Sequence, residues 1–244
     1  MDINLLELWS HMGLPVKAVV IFLTVQAIAC VAVIIDRLLM LALSRSRTQK
    51  FVSQATGQAG GAGAERLLTL AEENKGSHLA TFLAKGLRAY VDLKKKGHGA
   101  ERAAELTRRV LERKTEPLSR DLNRGMNVLA STGSTAPFVG LLGTVLGIMH
   151  AFKLIAAGGS GGIATIGPAI AEALIVTGYG LTVAIPVVLT FNWISGKLAS
   201  YEGDILNAAG DLIDRLEIGG DVFDGDAAHS RDERAPVLSA SPTA

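Results

Sequence analysis

The chain has 244 residues, 49% of them hydrophobic, a mean hydropathy of +0.34, 19% charged residues and a formal net charge of +1. A soluble domain carries about 25% charged residues, so this composition argues against an ordinary soluble fold and for membrane spans. The single cysteine, Cys30, excludes an internal disulfide. No CxxC, HExxH, phosphate-binding loop or nucleophile elbow is present, so neither an enzyme nor a cofactor or metal site is expected.

Residues 1–15 read as a short lead. From Ala18 to Ile35 the chain is uncharged, long enough to cross a bilayer, and predicts a first transmembrane helix over 16–43. A signal peptide would need a basic start and small residues at a cleavage site. Instead Asp2 and Glu7 precede the run, and Leu38, Leu39 and Met40 follow it. Asp36 and Arg37 close the span as interfacial anchors.

Residues 44–127 form the large charged segment, read as a helical domain. Gln54–Ala64, rich in Gly and Ala, reads as a linker. Glu101–Arg124 has helical spacing of Leu106, Val110 and Leu111, with no strong breaker before Pro117. No nucleic-acid recognition motif accompanies the basic residues.

A second span is predicted over 128–155 and a third over 168–194, joined by a short loop, 156–167, that contains Gly158, Gly159, Gly161 and Gly162. Pro168 suits the first turn of the third helix, where its missing N–H costs little. A cytoplasmic helix is expected over 195–218, and 219–244, rich in Asp, Ala, Ser and Pro, is expected to be disordered. Between Ser44 and Val128 lie 17 of the 24 basic residues, against none from Leu154 to Ala171. The positive-inside rule therefore puts the amino terminus outside and both the 44–127 segment and the carboxyl tail in the cytoplasm. The fold class is all-α, with three transmembrane helices and long cytoplasmic helical extensions.

Glu172 is the one acidic or basic residue between Lys153 and Lys197. A carboxylate inside a span is costly and marks a bundle interior, a water-filled cavity or an ion route. The bland alternative is a hydrogen-bonded Glu joining helices. Thr144 and Thr177 lie equally far from the centre of the glycine loop, so an antiparallel pair brings them to one depth. Two hydroxyls at one level fit a pore wall, and they fit interhelical hydrogen bonding equally well. Five residues advance about 500°, so Glu172 and Thr177 stand roughly 140° apart on their helix. Gly180 and Ala184 continue the Thr177 face, and Gly133, Gly140, Thr144 and Gly147 make a similar small-residue face on the second span. Both are expected to present a smooth pore wall. His150 shares the depth of Glu172, so a Glu–His contact is an auxiliary expectation, and Lys153 is expected to snorkel to the interface.

The segments Ala136-Pro137-Phe138-Val139-Gly140-Leu141-Leu142-Gly143-Thr144-Val145-Leu146-Gly147-Ile148-Met149 and Pro168-Ala169-Ile170-Ala171-Glu172-Ala173-Leu174, running on to Ala184-Ile185-Pro186, resemble the ExbB/TolQ/MotA family of proton-channel proteins. The short lead is more similar to TolQ members. The resemblance implies a pentameric ring around the single spanning helices of an ExbD/TolR-type partner, whose aspartate carries the proton. It also implies that Thr144 and Thr177 line the ion route, that Glu172 sits at a sensitive subunit contact, and that H⁺ rather than Na⁺ is transported. The implied output is a proton-driven rotary motor in the bacterial inner membrane. That motor would serve TonB-dependent import, Tol-Pal maintenance or gliding motility, through a TonB-, TolA- or motility-type effector. His150 stands where the family carries a small polar residue. The alternatives are a non-conducting scaffold for partner helices and a small transporter; the inverted repeats of a transporter are absent from the sequence.

Overall fold

The computed structural model describes residues 9, 12–57, 63–158 and 163–218, and among them there is no strand. The helices are α1 (Leu14–Gly57), α2 (Ala64–Glu73), α3 (His78–Lys95), α4 (Ala100–Leu122), α5 (Met126–Gly158) and α6 (Ile163–Ile218). The described parts of α1, α5 and α6 are long and apolar enough to cross a membrane over Leu14–Ala55, Met126–Lys153 and Ile166–Glu217.

Several expected boundaries are corrected. The helix predicted to end at 43 runs on to Gly57, so Gln54–Gly57 is the last turn of α1 rather than linker. Of the loop expected over 156–167, residues 156–158 close α5 and 163–167 open α6. Pro168 is therefore the sixth residue of α6, not part of its first turn. So near a helix start it forfeits one backbone bond, to the carbonyl of Ala164, and the helix tolerates it. The third span and the helix expected over 195–218 are one unbroken helix. The expected lead lies largely outside the described residues. The glycines at 159, 161 and 162 and the tail 219–244 lie wholly outside them.

The chain divides into two compact units. In the first, the described residues up to Leu41 join Asp121–Ser200. Its core is Met12, Val16, Val19 and Leu23 of the α1 end, Ala136 of α5, and Val176, Val183 and Ala184 of α6. The contacts run in opposite senses along α5 and α6. Gly133 faces Val188, Gly140 faces Thr177 and Gly180, and Gly147 faces Ala173. Those helices are thus antiparallel. Gly13 beside His150, Val19 beside Gly143 and Val33 beside Gly125 make α1 antiparallel to α5 as well.

The second unit joins Ala42–Arg120 to the chain from Tyr201 onward. Phe51, Leu67, Leu87 and Ile205 are among its fully buried side chains. Ser77 caps α3 by accepting the Ala80 N–H at 3.3 Å, leaving one fewer orphan donor. A buried hydroxyl network ties the α1 segment, α3 and the α6 segment. Ser44 Oγ lies 2.5 Å from Tyr201 Oη and 2.9 Å from His78 Nδ1, and Thr48 Oγ1 lies 2.8 Å from Ser77 Oγ. Each buried polar atom that finds a partner avoids a desolvation cost of about 1–3 kcal/mol.

Tyr90 donates its hydroxyl to the Leu216 carbonyl at 3.2 Å, and burial raises its phenol above the usual tyrosine value. The unfolded chain would release this proton first, so the contribution is intact below the ordinary tyrosine range and is lost as pH rises through the folded value. Tyr90→Phe is expected to cost about 1 kcal/mol at neutral pH. It should also flatten the alkaline fall in stability. Denaturant unfolding of the detergent-solubilised protein, followed by circular dichroism across alkaline pH, checks both. Exposed pairs such as Arg120–Glu116 and Lys95–Glu65 contribute little.

Candidate functional site

Inside the first unit, α5 and α6 approach closely because glycines face each other. A Cβ on Gly140 would stand 3.1 Å from Thr177 Cα and 3.3 Å from Gly180 Cα. One on Gly180 would stand 2.7 Å from the Ala136 carbonyl oxygen. Small residues let helices in lipid gain dispersion contact that larger side chains would prevent. This corrects the expectation of a smooth pore wall: Gly133, Gly140, Gly147, Gly180 and Ala184 are buried between helices and are not available to slide against a partner. A stripe of small residues has the same spacing whether it faces a lumen or a neighbouring helix, so sequence did not distinguish the two.

The threonines are placed by that seam. Gly143 and Val176 face each other, and a Cβ on Gly143 would lie 2.5 Å from Val176 Cγ1. Thr144 and Thr177 are the next residues on their helices, so both stand at one level. Val19 of α1 covers the Gly143 side. One further residue turns each helix by about 100°. In an antiparallel pair these turns have opposite sense, so both threonines come to the side of the seam away from α1. Thr177 Oγ1 donates across the seam to the Gly140 carbonyl at 2.9 Å. Thr144, 9% exposed, donates to the Leu141 carbonyl of its own helix at 2.7 Å. Each hydroxyl has committed its proton and retains lone pairs. The pair can therefore accept from a water, a hydronium or a protonated carboxyl. Leu141, Val145, Leu174 and Leu181 flank the pair as exposed apolar side chains.

Glu172 is half-buried and forms no hydrogen bond or ion pair with any described residue. Helical geometry turns it roughly 140° from Thr177, away from the threonine side. The auxiliary Glu172–His150 contact is not formed. His150 instead packs its ring against Gly13, where a Cβ would lie 3.4 Å from the imidazole. Lys153 is exposed. No group of three or more metal-ligand side chains occurs among the described residues.

Two features escaped sequence reasoning. Thr24 Oγ1 donates to the Val20 carbonyl at 2.8 Å, so the 3.0 Å contact with Tyr179 Oη has the tyrosine as donor. This links α1 to α6 at almost the level of Thr177. Arg37, taken as an interfacial anchor, is 7% exposed and bonded to the end of α4. The partners are 155 and 84 residues apart in sequence, which no local pattern reveals. The one local signal was polarity: Thr24 interrupts an apolar run, and Arg37 ends it beside an acid.

A family model described as the MotA/TolQ/ExbB proton channel family matches residues 74–205, more than half of the chain. A protein named biopolymer transport protein ExbB from Salmonella typhimurium is 28% identical over 212 residues, covering 87% of this chain and 86% of its own length. A protein of the same name from Pseudomonas putida is 43% identical over 103 residues, 42% of this chain and 31% of its own length. Another from Xanthomonas campestris pv. campestris is 43% identical over 119 residues, 49% of this chain and 47% of its own length. This chain thus matches about a third and about half of the last two relatives.

Proposed function

The chain belongs to the MotA/TolQ/ExbB proton channel family, and from that premise we propose that it is the stator subunit of an ExbB-type complex that turns proton flow across the inner membrane into work on the cell envelope. The observation that carries this reading is the pair Thr144 and Thr177. Two hydroxyls at one level, with protons already donated, stand on the side of the α5–α6 seam away from α1 within the apolar span. Chains arranged in a ring, with α1 outward, would turn this side toward a central helix. A pentamer around a single-span ExbD/TolR-type partner completes the route, because Glu172 is the one carboxylate between Arg124 and Lys197 and makes no relay by itself. A protonated partner aspartate would donate to the threonine oxygens while it crosses between the two aqueous sides. In this reading Glu172, on a different face and without a hydrogen-bond or ion-pair partner among the described residues, meets a neighbouring subunit.

The names of the relatives favour biopolymer transport of the TonB-linked kind over Tol-Pal maintenance or gliding. The basic distribution supports an outward amino terminus and an inward carboxyl tail. The transported ion is H⁺ by family, although threonine oxygens would also accept Na⁺.

The Thr177–Gly140 bond also favours a second reading, a non-conducting scaffold in which the threonines join helices. Proton flux decides between them. The protein is reconstituted with its single-span partner in vesicles under an imposed gradient. Thr144→Ala and Thr177→Ala are each expected to lower flux by about ten- to a hundredfold, as for loss of one hydrogen bond to a charged or protonating group. Wild-type flux in both variants would remove the threonines from the route. No flux in the wild type would favour the scaffold.

A further inference from the structure

Arg37 is a buried cation at the end of an apolar run, and an uncompensated charge there would be expensive. Its compensation is unusually complete. Nε donates to Asp36 Oδ2 at 2.9 Å, and the second terminal nitrogen also bonds that carboxylate. The first terminal nitrogen donates to the carbonyls of Asp121 and Leu122, each at 3.1 Å. Four of the five guanidinium N–H groups are thus used. The two carbonyls are the last of α4, where a helix runs out of its own donors and its dipole favours a cation; that of Asp121 also accepts the Arg124 N–H at 3.4 Å. One turn earlier on the same face of α1, Val33 meets Gly125, where a Cβ would lie 3.2 Å from Val33 Cγ1. Gly125 has φ +80°, which favours glycine, and it makes the turn from α4 into α5.

Residues 33 and 37 therefore grip the same short turn, at Asp121, Leu122 and Gly125. Farther along α5, which starts at Met126, a second contact, Val19 on Gly143, repeats the hold. A slip of α5 by one residue would be about 1.5 Å along its axis. That would stretch the 2.9 Å Thr177–Gly140 bond to about 3.3 Å or more and misalign it, which weakens it.

We infer that Arg37 is a positioning residue: it fixes the start of α5 against α1, and through α5 the level at which Gly140 and Thr144 meet Thr177. The functional consequence rests on the channel reading above; the positional claim does not.

Two measurements test it on the full chain in its complex. Hydrogen–deuterium exchange is compared between wild type and Arg37→Lys, with Arg37→Met as a second variant. Lys keeps the charge but loses the planar fork that serves carboxylate and carbonyls together. Faster exchange is expected both around 121–130 and in the segment holding Gly140–Thr144. A change confined to 121–126, or none, overturns the inference, because it would make Arg37 a local cap. The second measurement is proton flux per assembled complex. Arg37→Lys is expected to lower it by about fivefold to tenfold, the scale of one ordinary hydrogen bond, because the lysine keeps the charge. Arg37→Lys combined with Thr177→Ala should fall little below Thr177→Ala alone, since both act on one seam. Independent, multiplying losses overturn the inference. If the threonine variants keep full flux, the channel reading fails while the exchange result still decides the position of α5.

Discussion

Gly180→Val is expected to push α5 and α6 apart and to lower both the stability of the first unit and proton flux. The physical reason is distance. A Cβ at Gly180 meets the Ala136 carbonyl oxygen at 2.7 Å and Gly140 Cα at 3.1 Å, and both are backbone atoms that cannot rotate away. Relief requires a shift of the whole helix, and overpacking of this kind costs typically 1–3 kcal/mol or more. The same shift would stretch the Thr177–Gly140 hydrogen bond. Gly178, two residues earlier, is the internal control: a Cβ there meets nothing within 4 Å. Thermal unfolding of the purified protein in detergent should show a large loss for Gly180→Val and none for Gly178→Ala. Equal midpoints for the two variants would contradict the seam as described.

Glu172→Gln is expected to leave the fold intact, or make it slightly more stable, and to lower flux in the assembled complex by at least about tenfold, the factor that 1.4 kcal/mol represents. The carboxylate is half-buried within the span of α6 and has no hydrogen-bond or ion-pair partner among the described residues. Burial of the most polar side chains in a spanning helix costs roughly 2.5–3.5 kcal/mol on the insertion scale. Glutamine keeps the shape and hydrogen-bonding capacity of the side chain and removes its charge. Unfolding midpoints and flux measured on one preparation separate the two effects. Full flux from Glu172→Gln would show that only the shape and hydrogen bonding of the residue are needed.

Much of the fold follows from short-range patterns. The uncharged run from Ala18 to Ile35 and its two counterparts predict three spanning helices, and the structure contains them. Reflection about the glycine loop predicts that Thr144 and Thr177 share a level, and the facing of Gly143 and Val176 agrees. A short connection between two helices of uniform rise constrains register, so counting residues is enough. Boundaries were less legible. The run from Leu14 to Gly57 changes from apolar to charged without a breaker, and a helix has no reason to stop where its solvent changes. Likewise Pro168 signals nearness to a helix start, not its first residue.

By itself, the sequence determined that this is a helical membrane protein resembling the MotA/TolQ/ExbB family, with Thr144 and Thr177 at one depth and Glu172 the one carboxylate between Arg124 and Lys197. Hydropathy and helical rise are properties of consecutive residues, so these conclusions need no long-range contact. Only the tertiary structure decided what faces what. It put the glycines between α5 and α6, turned the threonines away from α1, paired Tyr179 with Thr24, and set Arg37 on the carbonyls of Asp121 and Leu122. Each of these depends on the rotation of one helix about its axis relative to another. That rotation is fixed by packing and hydrogen bonds between residues far apart in the chain, which periodicity within a single helix does not record.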